Sequence, residues 1–155
     1  MENKELRKEL QVSAIENGSV IDHIPADSVF QVIKILGLES ADNQILFGTN
    51  LDSQKYGKKG IIKISNKFFA PEEINKIALV APQATLIVIR DYKVTEKKQV
   101  EVPDEILKIV KCFNPNCITN HEQIQTRFEL VSKTEIKLHC YYCEKITAKD
   151  NIVFV

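Results

Sequence analysis

The chain has 155 residues, with 21 Lys plus Arg against 21 Asp plus Glu, and 44% of it is hydrophobic. That length fits one medium domain or two small ones, and the charge balance offers no overall field for neutralising the phosphates of a nucleic acid. No apolar run approaches the length that crosses a bilayer, so the sequence reads as a soluble protein with no membrane contact.

Met1-Glu2-Asn3-Lys4-Glu5-Leu6-Arg7-Lys8-Glu9 is a charged leader in which Leu6 is the only apolar residue after Met1. An export signal would need an apolar run here, so a cytoplasmic location is expected. The leader itself is expected to be mobile or held only by a partner. From Leu10 to Ile15 the chain alternates, Gly18 turns it, and Val20-Ile21 reads as a strand. Asp22 and His23 are expected where that strand ends, before Pro25 turns the chain into a helix over about Ala26–Leu36. Val29, Phe30, Val32, Ile33 and Leu36 recur at three- and four-residue spacing as its apolar face, and Gly37 stops it.

Gln44–Gly48 and Gly60–Ile64 read as two strands of a hairpin, joined by a polar loop with Tyr56-Gly57-Lys58-Lys59 near its end. Pro71-Glu72-Glu73 opens a second helix with Ile74, Ile77 and Ala78 as its buried stripe and its acidic residues in the first turn. Ala84–Arg90 is a β-branched run suited to a central strand, and Tyr92–Thr95 continues the sheet. The order β-α-β-β-α-β predicts an α+β fold, a ferredoxin-like domain with both helices on one sheet face and the other face free for a partner. The preferred boundary falls near Pro103, giving an N-terminal domain over 1–103 and a small all-β, zinc-ribbon-like domain over 104–155. In the latter, Gln125–Leu130, Ile136–Cys140 and Ile152–Val155 read as short antiparallel strands.

All four cysteines lie in that second domain as two pairs: Cys112 and Cys117 enclose four residues, Cys140 and Cys143 enclose two, and twenty-two residues separate the pairs. Two chelating pairs on separate turns can place four thiolates at the corners of a tetrahedron, the arrangement Zn²⁺ accepts in a closed structural site. The same residues could instead form two disulfides or be four unrelated core thiols, but paired spacing in a chain without an export signal points to metal. Four thiolates leave no position open for water, so the metal is expected to hold structure and do no chemistry. Lys111, Lys137, His139 and Lys145 lie beside the ligands and either offset their charge or are solvated strand residues.

The stretch Val20-Ile21-Asp22-His23-Ile24-Pro25-Ala26, followed by Ala81-Pro82-Gln83-Ala84-Thr85 and the four cysteines, resembles the regulatory chain of aspartate carbamoyltransferase from about Leu10 to the C-terminus. The resemblance implies a chain that is not an enzyme but a subunit of one, in pyrimidine biosynthesis. It implies CTP and UTP as inhibitors and ATP as activator in the N-terminal domain, a zinc domain bridging catalytic trimers, and pairing of this chain as a homodimer.

Carried over, the resemblance places the nucleotide on Ala14, Ile15, Val20, Asp22, His23, Lys63, Tyr92, Val94 and Lys97. Lys97 suits a triphosphate, and His23 donates to phosphate. Asp22 would accept ribose hydroxyls with Lys63 balancing its charge, and Ile15, Tyr92 and Val94 would meet the base. Lys59 is a further phosphate candidate, or the anchor of a Mg²⁺-bridged second nucleotide. Ile87 departs from the family pattern, which carries a polar amide there that helps read the nucleotide. In the Cys112–Cys117 loop, Asn114 and Asn116 would face the catalytic chain, or else only satisfy the turn.

Without the resemblance, His23 is a turn residue, Lys63 a solvent-facing strand residue and Tyr92 sheet packing. The Asp22-His23 pair has no serine, free cysteine or metal beside it in sequence to make a nucleophilic site. The alternative reading is a stand-alone zinc-ribbon protein that binds nucleic acid, with Tyr141-Tyr142 as a stacking platform.

Overall fold

The computed structural model describes residues 15–155, so the charged leader, the run from Leu10 to Ala14 and the candidate ligand Ala14 lie outside the described residues. Strands β1 (Gly18–Pro25), β2 (Ile45–Ser53), β3 (Gly57–Ser65), β4 (Thr85–Arg90) and β5 (Lys93–Gln99) form one antiparallel sheet in the order β2-β3-β1-β4-β5. The first four in that row have the ferredoxin-like order expected, and β5 is appended at the β4 edge. Helices α1 (Val29–Ile35) and α2 (Pro71–Val80) close the core over one face. Ile21, Ile24, Ile62, Ile64 and Leu86 of the sheet meet Val29, Val32, Ile77 and Ala78 of the helices there.

Helix α1 starts three residues later than its apolar period predicts. The Thr49 hydroxyl on β2 donates to the Ala26 carbonyl at 2.6 Å, and Ser28 N–H donates to Pro25 O at 2.8 Å, so residues 25–28 close a turn before the helix begins. Gly37 ends it as expected, at φ +64°, a conformation open to glycine at little cost. Phe30, expected in the core, is 64% exposed and stacks edge to face on Phe47 of β2. Helix α2 matches its prediction: Pro71 occupies the first turn and the Glu73 carboxylate accepts the Ala70 N–H at 3.0 Å.

The hairpin of β2 and β3 is longer than predicted, because its strands continue through the polar residues up to a tight turn around Tyr56. Strand β1 also runs on through Asp22 and His23. A bulge between Ile21 and Ile24 absorbs one extra residue on β1, with His23 at φ +57°. The two residues therefore lie inside a strand, not at its end.

The C-terminal part holds the sheet β10-β9-β8-β6, made of β6 (Glu105–Leu107), β8 (Arg127–Ser132), β9 (Lys137–Cys140) and β10 (Ile146–Ala148). Beside it, β7 (Val110–Lys111) pairs with β11 (Val153–Phe154). Phe128, Ile106, Leu138 and Val110 are its buried centre. Leu79, on the side of α2 away from the sheet core, joins this second cluster, and Val102 and Phe154 touch both clusters. The two parts thus share an apolar seam on the helix side of the large sheet. No described helix is long and apolar enough to cross a membrane.

Gly60 lets α1 sit on β3. A Cβ there would fall 1.9 Å from Val29 Cγ2, and valine has little rotamer freedom to move away. Gly60→Ala is expected to lower stability by about 1–3 kcal/mol through overpacking, read as a lower denaturation midpoint with an unchanged slope.

Candidate functional site

The sheet face opposite the helices carries one continuous cross-strand row. Leu46 stands opposite Lys63, Lys63 opposite Val20, Val20 opposite Ile87, and Ile87 opposite Lys97, so the row spans all five strands. Alternation along each strand explains the placement: Ile21, Ile62 and Leu86, one residue away in sequence, belong to the helix-side core. Ile15, Val20 and Ile89 form a small apolar cluster on this outer face, with Ile61 and Ile87 packed against it. Val94 stands opposite Ile89 on β5. Tyr92 occupies the β4–β5 turn at φ +64°, and its amide donates to Glu16 O at 2.9 Å, which brings the turn beside the start of β1.

Charged groups border this apolar floor. Lys63 is 5% exposed; burial lowers its pKa, and the neighbouring Asp22 charge partly restores it. Asp22 Oδ1 accepts from the His23 amide at 2.7 Å and from Lys59 Nζ at 2.8 Å. Burial alone would raise the Asp22 pKa, but these two hydrogen bonds and the charges of Lys59 and His23 hold it below the usual carboxylate range. Lys59 makes the direct ion pair with Asp22, and Lys63, to which the sequence pointed, adds its charge from nearby. Lys97 stands exposed on β5, separated from Lys63 by Val20 and Ile87.

The structure thus brings Ile15, Val20, Asp22, His23, Lys59, Lys63, Val94 and Lys97 onto one face or its rim, with Tyr92 at the adjoining turn. Tyr56, which sequence reasoning passed over, packs on His23 with ring centroids 5.9 Å apart. An aromatic at a hairpin tip carries no signal of its own, and its partner lies on another strand.

The second site is the cysteine quartet. Cys112 follows β7, Cys117 ends a tight loop closed by its own N–H on Asn114 O at 3.0 Å, Cys140 ends β9, and Cys143 lies in the turn before β10. The four sulfur atoms lie within 4.8 Å of one another, with Cys112 and Cys143 3.6 Å apart and Cys117 and Cys140 3.8 Å apart. A disulfide requires about 2.05 Å. Four sulfurs each about 2.3 Å from a tetrahedral zinc are about 3.8 Å from one another, so this donor set fits a closed metal site.

Burial pushes the Cys112 and Cys140 thiols up. Burial acts the same way on Cys143, but hydrogen bonds from the Lys145 backbone and the Asn114 side chain prevail and bring it to about 7. Asn114 is only 8% exposed, and its Oδ1 accepts the Asn116 N–H at 3.1 Å, so it serves the turn, while Asn116 stays exposed. Asn120 is a further determinant that the spacing did not reveal. Its amide donates to Cys112 O at 2.9 Å and to Asn114 O at 2.7 Å, tying the loop shut. Tyr141 and Tyr142 stack on each other edge to face, and the Arg127 guanidinium lies 4.3 Å above the Tyr141 ring.

Comparison with known proteins agrees with this two-part arrangement. Residues 10–101 match the family model of the aspartate carbamoyltransferase regulatory chain, allosteric domain, and residues 104–153 match that of its metal binding domain. The aspartate carbamoyltransferase regulatory chain of Bacteroides fragilis is 52% identical over 151 residues, covering 97% of this chain and 99% of the relative. That of Pyrococcus horikoshii is 52% identical over 147 residues, covering 94% and 97%. That of Phocaeicola vulgatus is 49% identical over 152 residues, covering 98% of each. With both domain models matched in order and half of all positions identical over nearly the full length, the chain belongs to the aspartate carbamoyltransferase regulatory chain family, as a regulatory and not a catalytic subunit.

Proposed function

We propose that this chain senses nucleotides on the outer face of its N-terminal sheet and bridges catalytic trimers through a zinc-holding C-terminal domain. CTP and UTP act as inhibitors and ATP as activator of pyrimidine biosynthesis in the cytoplasm, and the two domains divide between residues 103 and 104. The observation that carries the reading is the cross-strand row, in which Lys63 and Lys97 flank an apolar floor of Val20 and Ile87. A nucleotide needs both features: an apolar surface for its base, and cations for its phosphates. Ile15, Tyr92 and Val94 meet the base, Lys97 and His23 take the phosphates, and Asp22 accepts ribose hydroxyls through the oxygen not bound to Lys59. Lys59 and Lys63 keep the Asp22 carboxylate from repelling the phosphates, with Mg²⁺ as a companion of the ligand. Ala14 belongs to the same proposed ligand set.

A second copy of the chain pairs along β2. This strand is one of the two sheet edges, and Leu46 at 52%, Phe47 at 50% and Phe30 at 64% exposure leave an apolar patch around it. Pairing a second β2 there would satisfy the open backbone edge and cover the aromatic pair. Phe30 then faces another chain, which accounts for its apolar character on the exposed side of α1.

In the C-terminal domain zinc holds the Cys112–Cys117 loop in shape, and Asn116, together with the buried Asn114 that supports it, presents the loop to the catalytic chain. Phe113, 50% exposed, and Ile118, 44% exposed, extend that surface. The nucleic-acid alternative is disfavoured by what surrounds its stacking platform: Tyr141 is already engaged by Arg127 and Tyr142.

Four experiments test these assignments. Equilibrium titration of the zinc-loaded chain is expected to show saturable CTP binding tighter than about 1 mM, displaced by ATP. His23→Ala and Lys97→Ala should each weaken it roughly tenfold, the scale of one hydrogen bond to a charged group; unaltered affinity in both variants would move the site elsewhere. Sedimentation of Phe47→Glu is expected to show dimer dissociation at concentrations about 30-fold higher than for the parent, the loss of one aromatic anchor, and an unchanged dimer would place the interface off β2. Metal analysis should give one zinc per chain and none in Cys140→Ser. Mercurials or chelators should release active catalytic trimers, so retention of the assembly after zinc loss would refute the bridging role.

A further inference from the structure

His23 is the candidate phosphate donor, yet no hydrogen bond among the described residues sets the plane of its ring. Its Nδ1 is buried without a hydrogen-bond partner among the described residues. Its Nε2 lies 3.9 Å from Asp22 Oδ2, beyond hydrogen-bond range. Its backbone sits at φ +57° in the β1 bulge, fixed by the Asp22 carboxylate on its amide. The main chain of His23 is therefore pinned, while the imidazole is left to be oriented by packing.

The group packed on it is Tyr56. The two rings meet at 65° with centroids 5.9 Å apart, an edge-to-face geometry that aromatic pairs favour. Tyr56 is itself positioned by the turn: its amide donates to Ser53 Oγ at 3.3 Å, and its carbonyl accepts the Lys58 N–H at 3.0 Å. Lys55 Nζ lies 5.3 Å from the ring centroid. The tip of the β2–β3 hairpin thus carries an aromatic wall for His23 next to Lys59, the lysine paired with Asp22.

We propose that Tyr56 is the positioning residue of His23, holding the imidazole so that it can donate to the phosphates of a bound nucleotide. This rests on the nucleotide-sensing reading above and extends it to a residue that touches no ligand. Tyr56 acts through its ring and not its hydroxyl, since edge-to-face packing requires only the aromatic surface. Phenylalanine therefore replaces it and leucine does not.

The test is a double-mutant cycle on the full zinc-loaded chain, titrated with CTP. Tyr56→Leu is expected to weaken binding about three- to tenfold, the size of one aromatic pair contact, and Tyr56→Phe to restore it to within twofold of the parent. In a His23→Ala background Tyr56→Leu should have no further effect. The NMR signals of the His23 ring should lose their ring-current displacement in Tyr56→Leu while the amide fingerprint of the strands stays in place. An equal loss in the His23→Ala background, unchanged CTP affinity, or unmoved His23 ring signals would each overturn the role of Tyr56. A parent chain with no CTP affinity would overturn the nucleotide reading itself, and would show before any variant is compared.

Discussion

One carboxylate, that of Asp22, ties together β1 and β3, two of the strands from which the candidate site is built. It accepts the His23 amide inside the β1 bulge and the Lys59 ammonium from β3, two groups that would otherwise face each other without an acceptor. Because only 18% of its side chain is exposed, its partners gain strength from the reduced dielectric. The depressed pKa has a definite sign in stability. The contribution is present above the unfolded carboxylate value of 3.8 and is lost as pH falls through the lower folded value. At neutral pH the bulge, the lysine pair and the left-handed His23 are therefore held by a charge that is fully formed.

The C-terminal part relies on a different constraint. Its buried centre is small, and a segment of this size rarely supplies enough apolar burial to fold by itself. Four sulfurs at tetrahedral spacing, gathered from two separate turns, provide the missing cross-link once a metal is bound. The cluster is not isolated from the rest of the chain. Leu79 of α2 is buried among the C-terminal residues, and Phe154 and Val102 pack against both cores. In the proposed function, a nucleotide on the outer sheet face and a catalytic chain on the cysteine loop would be linked through the sheet, α2 and this apolar seam. Coupling of about 1–3 kcal/mol, the usual size between such sites, requires only that the seam differ modestly between two states.

The parts of the fold legible in the sequence are those that local pattern controls. The β-branched run of β4, the Pro-Glu-Glu start of α2, the glycine after α1 and the spacing of the cysteines each carry their own signal. The misread parts depend on distant partners. Helix α1 starts late because a threonine hydroxyl from β2 takes the Ala26 carbonyl. The β1 strand continues past Asp22 because Lys59, 37 residues away, stabilises the bulge. Phe30 fits the apolar period of α1, and periodicity cannot distinguish a core face from a surface that another chain covers. Tyr56 and Asn120 act through contacts that form only once two loops are folded against their neighbours.

The position of Ile87 shapes how such a site could choose among nucleotides. It stands between Val20 and Lys97 in the middle of the row, so the centre of the floor offers neither donor nor acceptor. A base lying there would gain apolar contact of similar size whether it is a purine or a pyrimidine, and the surrounding lysines would treat every triphosphate alike. In the proposed function, discrimination would then fall to the edge of the floor, where the β4–β5 turn is joined to the start of β1 through the Tyr92 amide on Glu16 O. That part of the site is set by main-chain geometry, including the left-handed Asp91 and Tyr92. Bases of different size would therefore be distinguished by how they displace the turn, and not by which side chain they meet. Displacement of a turn is a change that the strands leading from it can transmit, and in the proposed function this would give inhibitor and activator a physical means of having opposite effects from one shared floor.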